Sequence, residues 1–249
     1  MPEQVVLSNV TGKIARLTFN RPDKLNALSK DLLVESIDLL TQWSRDSSIG
    51  AVVVTGAGRA FCAGGDLREI ASIPPRRFTA LQNAVAANIR KAPQCVIAAV
   101  NGAAIGGGAA LALACDVRLA SPDAVFRFAF PGLAAADMGV ARLLPRTVGL
   151  GRATEWLLTG REIPAAEALA AGLVSRLLPR ELLVAEARAM ALRISSGSRE
   201  ALAVTKRLLD REVSPAVEAR EQARLMGRPD FREACRAFSE RREPRFNAD

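Results

Sequence analysis

Residues 92–115 read APQCVIAAVNGAAIGGGAALALAC, a run without a single charge, and Asp116 follows at once. The length suits a transmembrane helix, which needs about 20 apolar residues. The composition does not. Gly102, Gly106, Gly107, Gly108 and Asn101 interrupt the middle, and glycine costs roughly 1 kcal/mol against alanine in a helix interior. A buried strand over 95–100, a tight glycine turn and a buried helix from about Gly107 fit better. That order points free backbone N–H groups at something anionic. A packing turn with no ligand would carry the same text, and both readings stand.

Outward from this stretch, 249 residues with 49% hydrophobic and 24% charged content describe a globular chain with ample interior to bury. The net charge of +8 comes almost wholly from arginine. It suits phosphate-bearing small molecules or nucleic acid, or reflects compositional bias. Aromatic residues make up 4% and tyrosine is absent, which disfavours nucleic acid, since single-strand binding uses stacking platforms. Histidine is absent too. This removes Ser-His-Asp and Cys-His chemistry, His-ligated metals and imidazole acid–base work together. Cys62, Cys95, Cys115 and Cys235 are widely spaced, so neither a disulfide framework nor a zinc site is legible. No metal is expected. The opening MPEQVVLSNV lacks a basic segment followed by an apolar run, so no signal peptide and a cytoplasmic location are expected.

In chain order, residues 5–10 and 13–19 alternate apolar and polar around a Thr-Gly-Lys turn, the pattern of a hairpin. A polar loop, NRPDKLNALS, precedes an amphipathic helix near 30–45. A buried strand follows at 51–55. Residues 56–66 (GAGRAFCAGGD) form a second glycine loop, with a helix starting at 67–71 and another over 78–91. Beyond Asp116 come a strand at 117–120, a turn, and an extended segment at 124–130. Residues 138–158 are helical in two pieces broken at Gly149 and Gly151. A helix is expected from Thr159 to Gly172, then a strand at 173–177. After Pro179 the chain is helical to Phe238, with breaks at 195–198, 214–215 and 227–230. Strands cease near 190–200, which divides a core of 1–195 from a helical region of 196–249.

The two glycine loops share one design: buried strand, glycines, helix start. With both helix starts converging, Gly65 and Gly107 could each offer a backbone N–H to one oxygen. Two such donors make an oxyanion hole, which stabilises charge appearing on a thioester carbonyl. Neither loop is a nucleotide motif: G-x-G-x-x-G in register and G-K-[ST] are both missing.

At these residues the sequence resembles the crotonase superfamily, the enoyl-CoA hydratase/isomerase family. The resemblance spans NRPDKLNAL at 20–28, AFCAGGDL at 60–67, VIAAVNGAAIGGG at 96–108, ACDVRLAS at 114–121, ADMG at 136–139, LLPRTVG at 143–149, LTG at 158–160, AGLVSRLLP at 171–179 and FSERREPRF at 238–246. It implies an α/β fold, a crotonase-type spiral of ββα units, with a helical C-terminal trimerisation region and assembly into a homotrimer or hexamer. It also implies an acyl-CoA thioester as substrate, no cofactor beyond that coenzyme A, and a place in fatty acid metabolism. By the family pattern Gly65 and Gly107 are the oxyanion donors. Lys24, Leu25 and Ala27 line the CoA groove, with Ala63, Asp66, Leu67 and Arg68 near the pantetheine and phosphates. Phe238 and Arg241 reach CoA from the C-terminal region. Solvated surface charge is the competing reading of Arg68 and Arg241.

The family's hydratases use two glutamates, one of them three residues past the oxyanion glycine. Here that place holds Ala110. The second usually follows the strand matching 124–130, where this chain reads Phe130-Pro131-Gly132 in a segment about two residues short. Asp137 remains, at a position where isomerases and dehalogenases of the family place a working aspartate. Its local text also fits a helix N-cap. Asp66 and Asp116 read as loop-capping and structural. Isomerisation or another single-carboxylate reaction, a lyase included, is therefore expected over hydration. A non-catalytic crotonase-fold protein and an RNA-binding one are the alternatives.

Overall fold

A computed structural model describes residues 4–133, 139–210 and 213–246. β1 (Val6–Thr11) and β2 (Ile14–Phe19) form the expected antiparallel hairpin, closed at Gly12. α1 (Lys30–Arg45) starts at Ser29, whose hydroxyl accepts the Leu32 N–H at 3.2 Å, the side-chain cap that helix starts favour. Its stripe of Leu32, Leu33, Ser36, Leu40 and Trp43 is buried.

From β3 onward one unit repeats. β3 (Ala51–Gly56) is followed by the short β4 (Ala60–Cys62) and then by α2 (Leu67–Ile70) and α3 (Pro75–Lys91). β5 (Cys95–Val100) is followed by β6 (Ala103–Ile105) and α4 (Gly107–Ala114). β7 (Val117–Ala120) is followed by β8 (Val125–Arg127) and, past residue 138, by α5 (Val140–Val148). The long strand of each unit joins one sheet, ordered β1-β2-β3-β5-β7-β10 with β10 at Arg176–Leu177. The short strand joins a second, β4-β6-β8-β9 with β9 at Glu162–Pro164. Strand pairs β3·β5, β5·β7, β4·β6 and β6·β8 are all parallel, so each unit repeats the turn before it. β3 is buried at every residue, as a central parallel strand covered on both faces must be. On one face lie α1, α3 and α4 with the main core. On the other, Leu183, Ala187 and Ala191 of α8 (Arg180–Ser195) pack over Ile14, Val53, Ile97 and Leu119.

Several local expectations are corrected. The glycine loops contain β4 and β6, which are too short to show an alternating pattern of their own. The extended segment expected over 124–130 shrinks to β8. Of the two helix breaks, only Gly149 is one, with φ +83°; Gly151 lies inside α6 (Leu150–Thr159). Where a helix was expected directly after Thr159, Gly160 ends α6 in the left-handed conformation and β9 (Glu162–Pro164) pairs antiparallel with β8. Pro164 accounts for this, because the residue before a proline is driven to extended backbone. Only then does α7 (Ala165–Ala170) begin. The strand expected at 173–177 is reduced to β10 (Arg176–Leu177). α9 (Arg199–Asp210), α10 (Pro215–Met226) and α11 (Pro229–Glu240) complete the chain, α10 packing on α9 and α11 on α10.

The repeat brings backbones into direct contact at the glycines. A Cβ on Gly108 would lie 2.0 Å from the Cys62 carbonyl oxygen, and one on Gly102 would lie 2.0 Å from that of Arg59. A Cβ on Gly132 would meet nothing within 4 Å. Gly108→Ala is therefore expected to lower the thermal midpoint by several degrees or prevent folding, since overpacking costs about 1–3 kcal/mol even among side chains. Gly132→Ala should leave it unchanged. Parallel thermal melts of the two variants check this, and equal midpoints would contradict the close approach at Gly108.

Candidate active site

The two glycine loops meet at one rim. A Cβ on Gly64 would sit 2.8 Å from the Ile105 carbonyl oxygen and 3.5 Å from the Gly107 nitrogen. Gly64 itself has φ +92°, a conformation that favours glycine. Beside it, residues 25–28 pair with residues 63–66. The Ala63 N–H donates to Leu25 O at 3.0 Å, Leu28 N–H to Gly64 O at 2.7 Å, and Asp66 N–H to Leu28 O at 3.0 Å. This ladder uses the Ala63 and Asp66 N–H groups, while the Gly65 N–H has no protein acceptor among the described residues. Gly107 is the first residue of α4, and its N–H is likewise unused there, as the first N–H groups of any helix are. Two unused donors thus stand on adjoining loops, walled by Ile70 and Phe78 where these approach Gly65.

Two buried asparagines hold the loops in register. The Asn26 amide donates to Ala57 O and Ala60 O, both at 2.8 Å, and its Oδ1 accepts the Arg21 N–H at 2.9 Å. Asn101 donates to Gly56 O and Gly58 O at 2.9 Å and accepts the Gly56 N–H at 3.2 Å. Asn101 lies between β5 and β6, so it ties the approach to Gly107 to the turn that leads to Gly65. Leu25 and Asn26 both adopt positive φ, at 50° and 57°, strain that these bonds and the ladder hold in place. In the sequence Asn101 figures only as an interruption of the apolar run and Asn26 only as part of NRPDKLNAL, and neither text reveals that the amide is buried against the 56–60 turn.

Of the residues expected at the site, Lys24, Leu25, Ala27, Ala63, Gly65, Asp66, Leu67, Arg68 and Gly107 lie on this rim or next to it in the chain. Lys24, Leu67 and Arg68 are exposed. Asp66 caps α2 by accepting the Arg68 N–H at 3.3 Å and pairs with Arg21 Nη2 at 3.0 Å. Burial works against its charged form, but the hydrogen bonds from Arg21 and from the Glu69 and Arg68 backbones, with the Arg21 charge, outweigh it and hold its carboxyl below the ordinary value. Asp116 is structural too. It accepts the Val96 N–H at 2.8 Å and pairs with Lys206 at 2.8 Å and Arg90 at 3.6 Å. Ala110 is buried on α4, a turn past Gly107, and Gly132 lies in the turn Pro131–Leu133. Phe238 is 87% exposed near the end of α11, and Arg241 is exposed just beyond it. Among the described residues no hydrogen bond or ion pair joins either to the glycine loops. Asp137 lies outside the described residues. A cleft of about 560 Å³ opens at the opposite end of α4, among Leu113, Leu143, Leu202 and Lys206; it is not the rim. No metal-holding cluster occurs among the described residues, and no helix there is long and apolar enough to cross a membrane.

A stacked spiral of ββα units with two free backbone donors at a glycine rim defines the crotonase class of protein. Comparison with known proteins agrees. The family model for enoyl-CoA hydratase/isomerase matches residues 9–249. A probable enoyl-CoA hydratase of Mycobacterium tuberculosis is 40% identical over 98% of this chain and 93% of its own length. The crystal structure of an enoyl-CoA hydratase from Bacillus anthracis superposes with a TM-score of 0.92 at 33% identity, covering 99% of this chain and 100% of that one. A monofunctional enoyl CoA isomerase from M. smegmatis superposes with a TM-score of 0.73 at 42% identity, covering 83% and 92%. The chain belongs to the enoyl-CoA hydratase/isomerase family.

The Arg21–Asp66 pair makes a pH-dependent contribution. Because the folded-state pKa of Asp66 is depressed, its stabilisation is complete above the unfolded value of about 4 and is lost as pH falls below that towards the folded value. Asp66→Asn keeps a capping side chain but removes the charge. It should lower the thermal midpoint at pH 7, at a cost of about 1–2 kcal/mol, with the difference from wild type closing below about pH 4. Melts across pH 3–7 read this, and a gap independent of pH would exclude the ion pair as its source.

Proposed function

We propose that the protein rearranges the double bond of an enoyl-CoA thioester through an enolate held by the Gly65 and Gly107 N–H groups. The observation that supports this reading is the contact between the two glycine loops, each of which carries an unused backbone donor, at Gly65 and at Gly107. A thioester carbonyl oxygen seated there gains negative charge when a proton leaves the neighbouring carbons. Donors fixed by the fold stabilise that charge without having to reorganise. CoA lies along Lys24, Leu25, Ala27 and Ala63, with Asp66, Leu67 and Arg68 towards its phosphates. Phe238 and Arg241 close over it from the C-terminal region in a trimer or a dimer of trimers, and a cytoplasmic location accords with such a substrate.

Proton transfer falls to Asp137. Its carboxylate takes a proton from one carbon of the bound enoyl group, and the resulting acid returns it to another, so the double bond moves with no net gain or loss. Hydration also needs a positioned water, usually held by a second carboxylate, and Ala110 and Gly132 supply none. The hydratase names of several relatives favour the opposite reading, and the likeness to an isomerase favours this one.

Asp137→Asn should fold normally and lose most deuterium incorporation at the α or γ carbon of a bound enoyl-CoA, read by mass spectrometry in heavy water. Exchange at the wild-type rate would make Asp137 a helix cap. A 3-hydroxyacyl-CoA formed by the wild type would replace isomerisation with hydration. Gly107→Pro removes one donor at the first position of α4, where helices tolerate proline, and should slow turnover about 100- to 1000-fold with the circular dichroism spectrum retained. Unchanged activity in that folded variant would make Gly107 a turn residue only.

A further inference from the structure

The Arg21 side chain is mostly buried, with 16% of its surface exposed, and its guanidinium makes two bonds of different kinds. Nη2 donates to Asp66 Oδ2 at 3.0 Å, with Glu69 Oε1 at 3.6 Å. Nη1 donates to the Ala27 carbonyl oxygen at 2.7 Å. Positions 27 and 66 lie on opposite strands of the ladder that flanks Gly65, so one planar fork spans both. An ion pair alone would be worth little. The bond to a backbone carbonyl is what leads to the rim.

A peptide unit is planar and trans, so its C=O and N–H point in opposite directions. Ala27 O and the Leu28 N–H are the two ends of one such unit, and Gly64 O and the Gly65 N–H are the two ends of another. The Leu28 N–H donates to Gly64 O at 2.7 Å. From the guanidinium outward, the series runs Arg21 Nη1–H to Ala27 O, Leu28 N–H to Gly64 O, and ends at the Gly65 N–H. That last donor has no acceptor among the described residues. Its aim is set by the peptide plane that Arg21 holds. The other arm of the fork fixes Asp66, the residue after Gly65, whose own N–H donates to Leu28 O at 3.0 Å. Gly107 needs no such support. The carbonyl of its peptide, Gly106 O, accepts the Ala110 N–H at 2.9 Å, so α4 itself directs that donor.

We infer that Arg21 is the positioning residue of the Gly65 donor, aiming and polarising its N–H through two peptide units in series. The inference rests on the acyl-CoA reading of the glycine rim. A bond from a charged donor is stronger than a neutral one, and hydrogen bonds in series strengthen one another by about 10–30% each. Positive charge at one end therefore draws electron density along both peptides, away from the Gly65 hydrogen. The thioester oxygen meets a donor stronger than an isolated amide.

The test reads the donor on the oxygen it faces. Hexanoyl-CoA, a saturated thioester, carries a carbon-13 label at the carbonyl, and its C=O stretch is recorded by isotope-edited infrared spectroscopy. Spectra are taken free and bound to the full chain, to Arg21→Met and to Arg21→Lys. Hydrogen bonds weaken a C=O bond, so the wild type should lower the band from its free position. Arg21→Met removes the fork, and the band should return most of the way. Turnover of an enoyl-CoA should then fall about 100-fold, the cost of misplacing a group by about 1 Å, with KM changed far less. Arg21→Lys keeps the charge but reaches one acceptor at a time. It should give an intermediate band, and it carries the test alone if Arg21→Met does not fold. A wild-type band position in either folded variant would make Arg21 a structural tie only, leaving the acyl-CoA reading intact. An unshifted band in the wild type, or no binding, would overturn that reading and this inference with it.

Discussion

Where Gly108 meets the Cys62 carbonyl and Gly64 meets that of Ile105, backbone packs on backbone with no side chain between. Everything at the rim depends on this approach. Side chains at either glycine would push the loops apart by about the width of a methyl group, enough to separate the Gly65 and Gly107 donors. The asparagines then set the register that glycine alone leaves free. Asn26 and Asn101 share the Gly56–Ala60 turn as acceptor, so movement of one loop loads the hydrogen bonds of the other. Buried amides satisfied in this way specify one arrangement, because any slip leaves polar groups unpaired in an apolar setting.

The C-terminal helices are tied to the same core by charge. Lys206 of α9 is buried, and its ammonium donates to Ile89 O at 2.8 Å and Gln94 O at 2.9 Å while pairing with Asp116. Arg90 joins Asp116 to Asp210 at the end of α9, and Arg146 of α5 donates to the Asp210 carbonyl at 3.1 Å. Desolvating such groups is expensive, and removing one partner from a buried pair costs about 3–5 kcal/mol. The network ties α9 to α3, α5 and the turn after α4. α10 has no buried residue and Phe238 stands exposed near the end of α11, which accords with a C-terminal region that finishes its packing elsewhere than on its own core.

Legibility in the sequence followed element length. The hairpin, α1, β3, β5, β7 and the four C-terminal helices could be read because each carries several periods of its own pattern or a clear cap. Ala103–Ile105 and Ala60–Cys62 have three residues each, too few to show alternation, and become strands only because parallel partners lie beside them. Gly151 misled because glycine is a breaker in isolation, yet in the first turn of α6 its cost is small and Gly149 already makes the break. At the site, the glycines were legible as motif. The roles of Asn26 and Asn101 were not, since an amide in a sequence does not reveal whether it will be buried or what will face it.

In the proposed reaction the donors are backbone groups, and the remaining question is which side chain carries the proton. The cysteines that could compete are excluded by their surroundings. Burial pushes the Cys62, Cys95 and Cys115 thiols up to about 12, helped by the Asp116 charge at the latter two, so all three stay protonated and neutral. The rim carboxylates are committed as well: Asp66 to Arg21, and Glu69 to the Lys30 N–H at 3.0 Å and to Arg21. Histidine is absent and alanine stands at position 110, so the reaction proposed above combines the backbone donors with one carboxylate rather than two. In the reaction proposed above, a single carboxylate, that of Asp137, is sufficient for moving a proton between two carbons of one substrate. It is insufficient for holding and activating a water as well. In that proposed division of labour, backbone donors hold the charge and one side chain moves the proton.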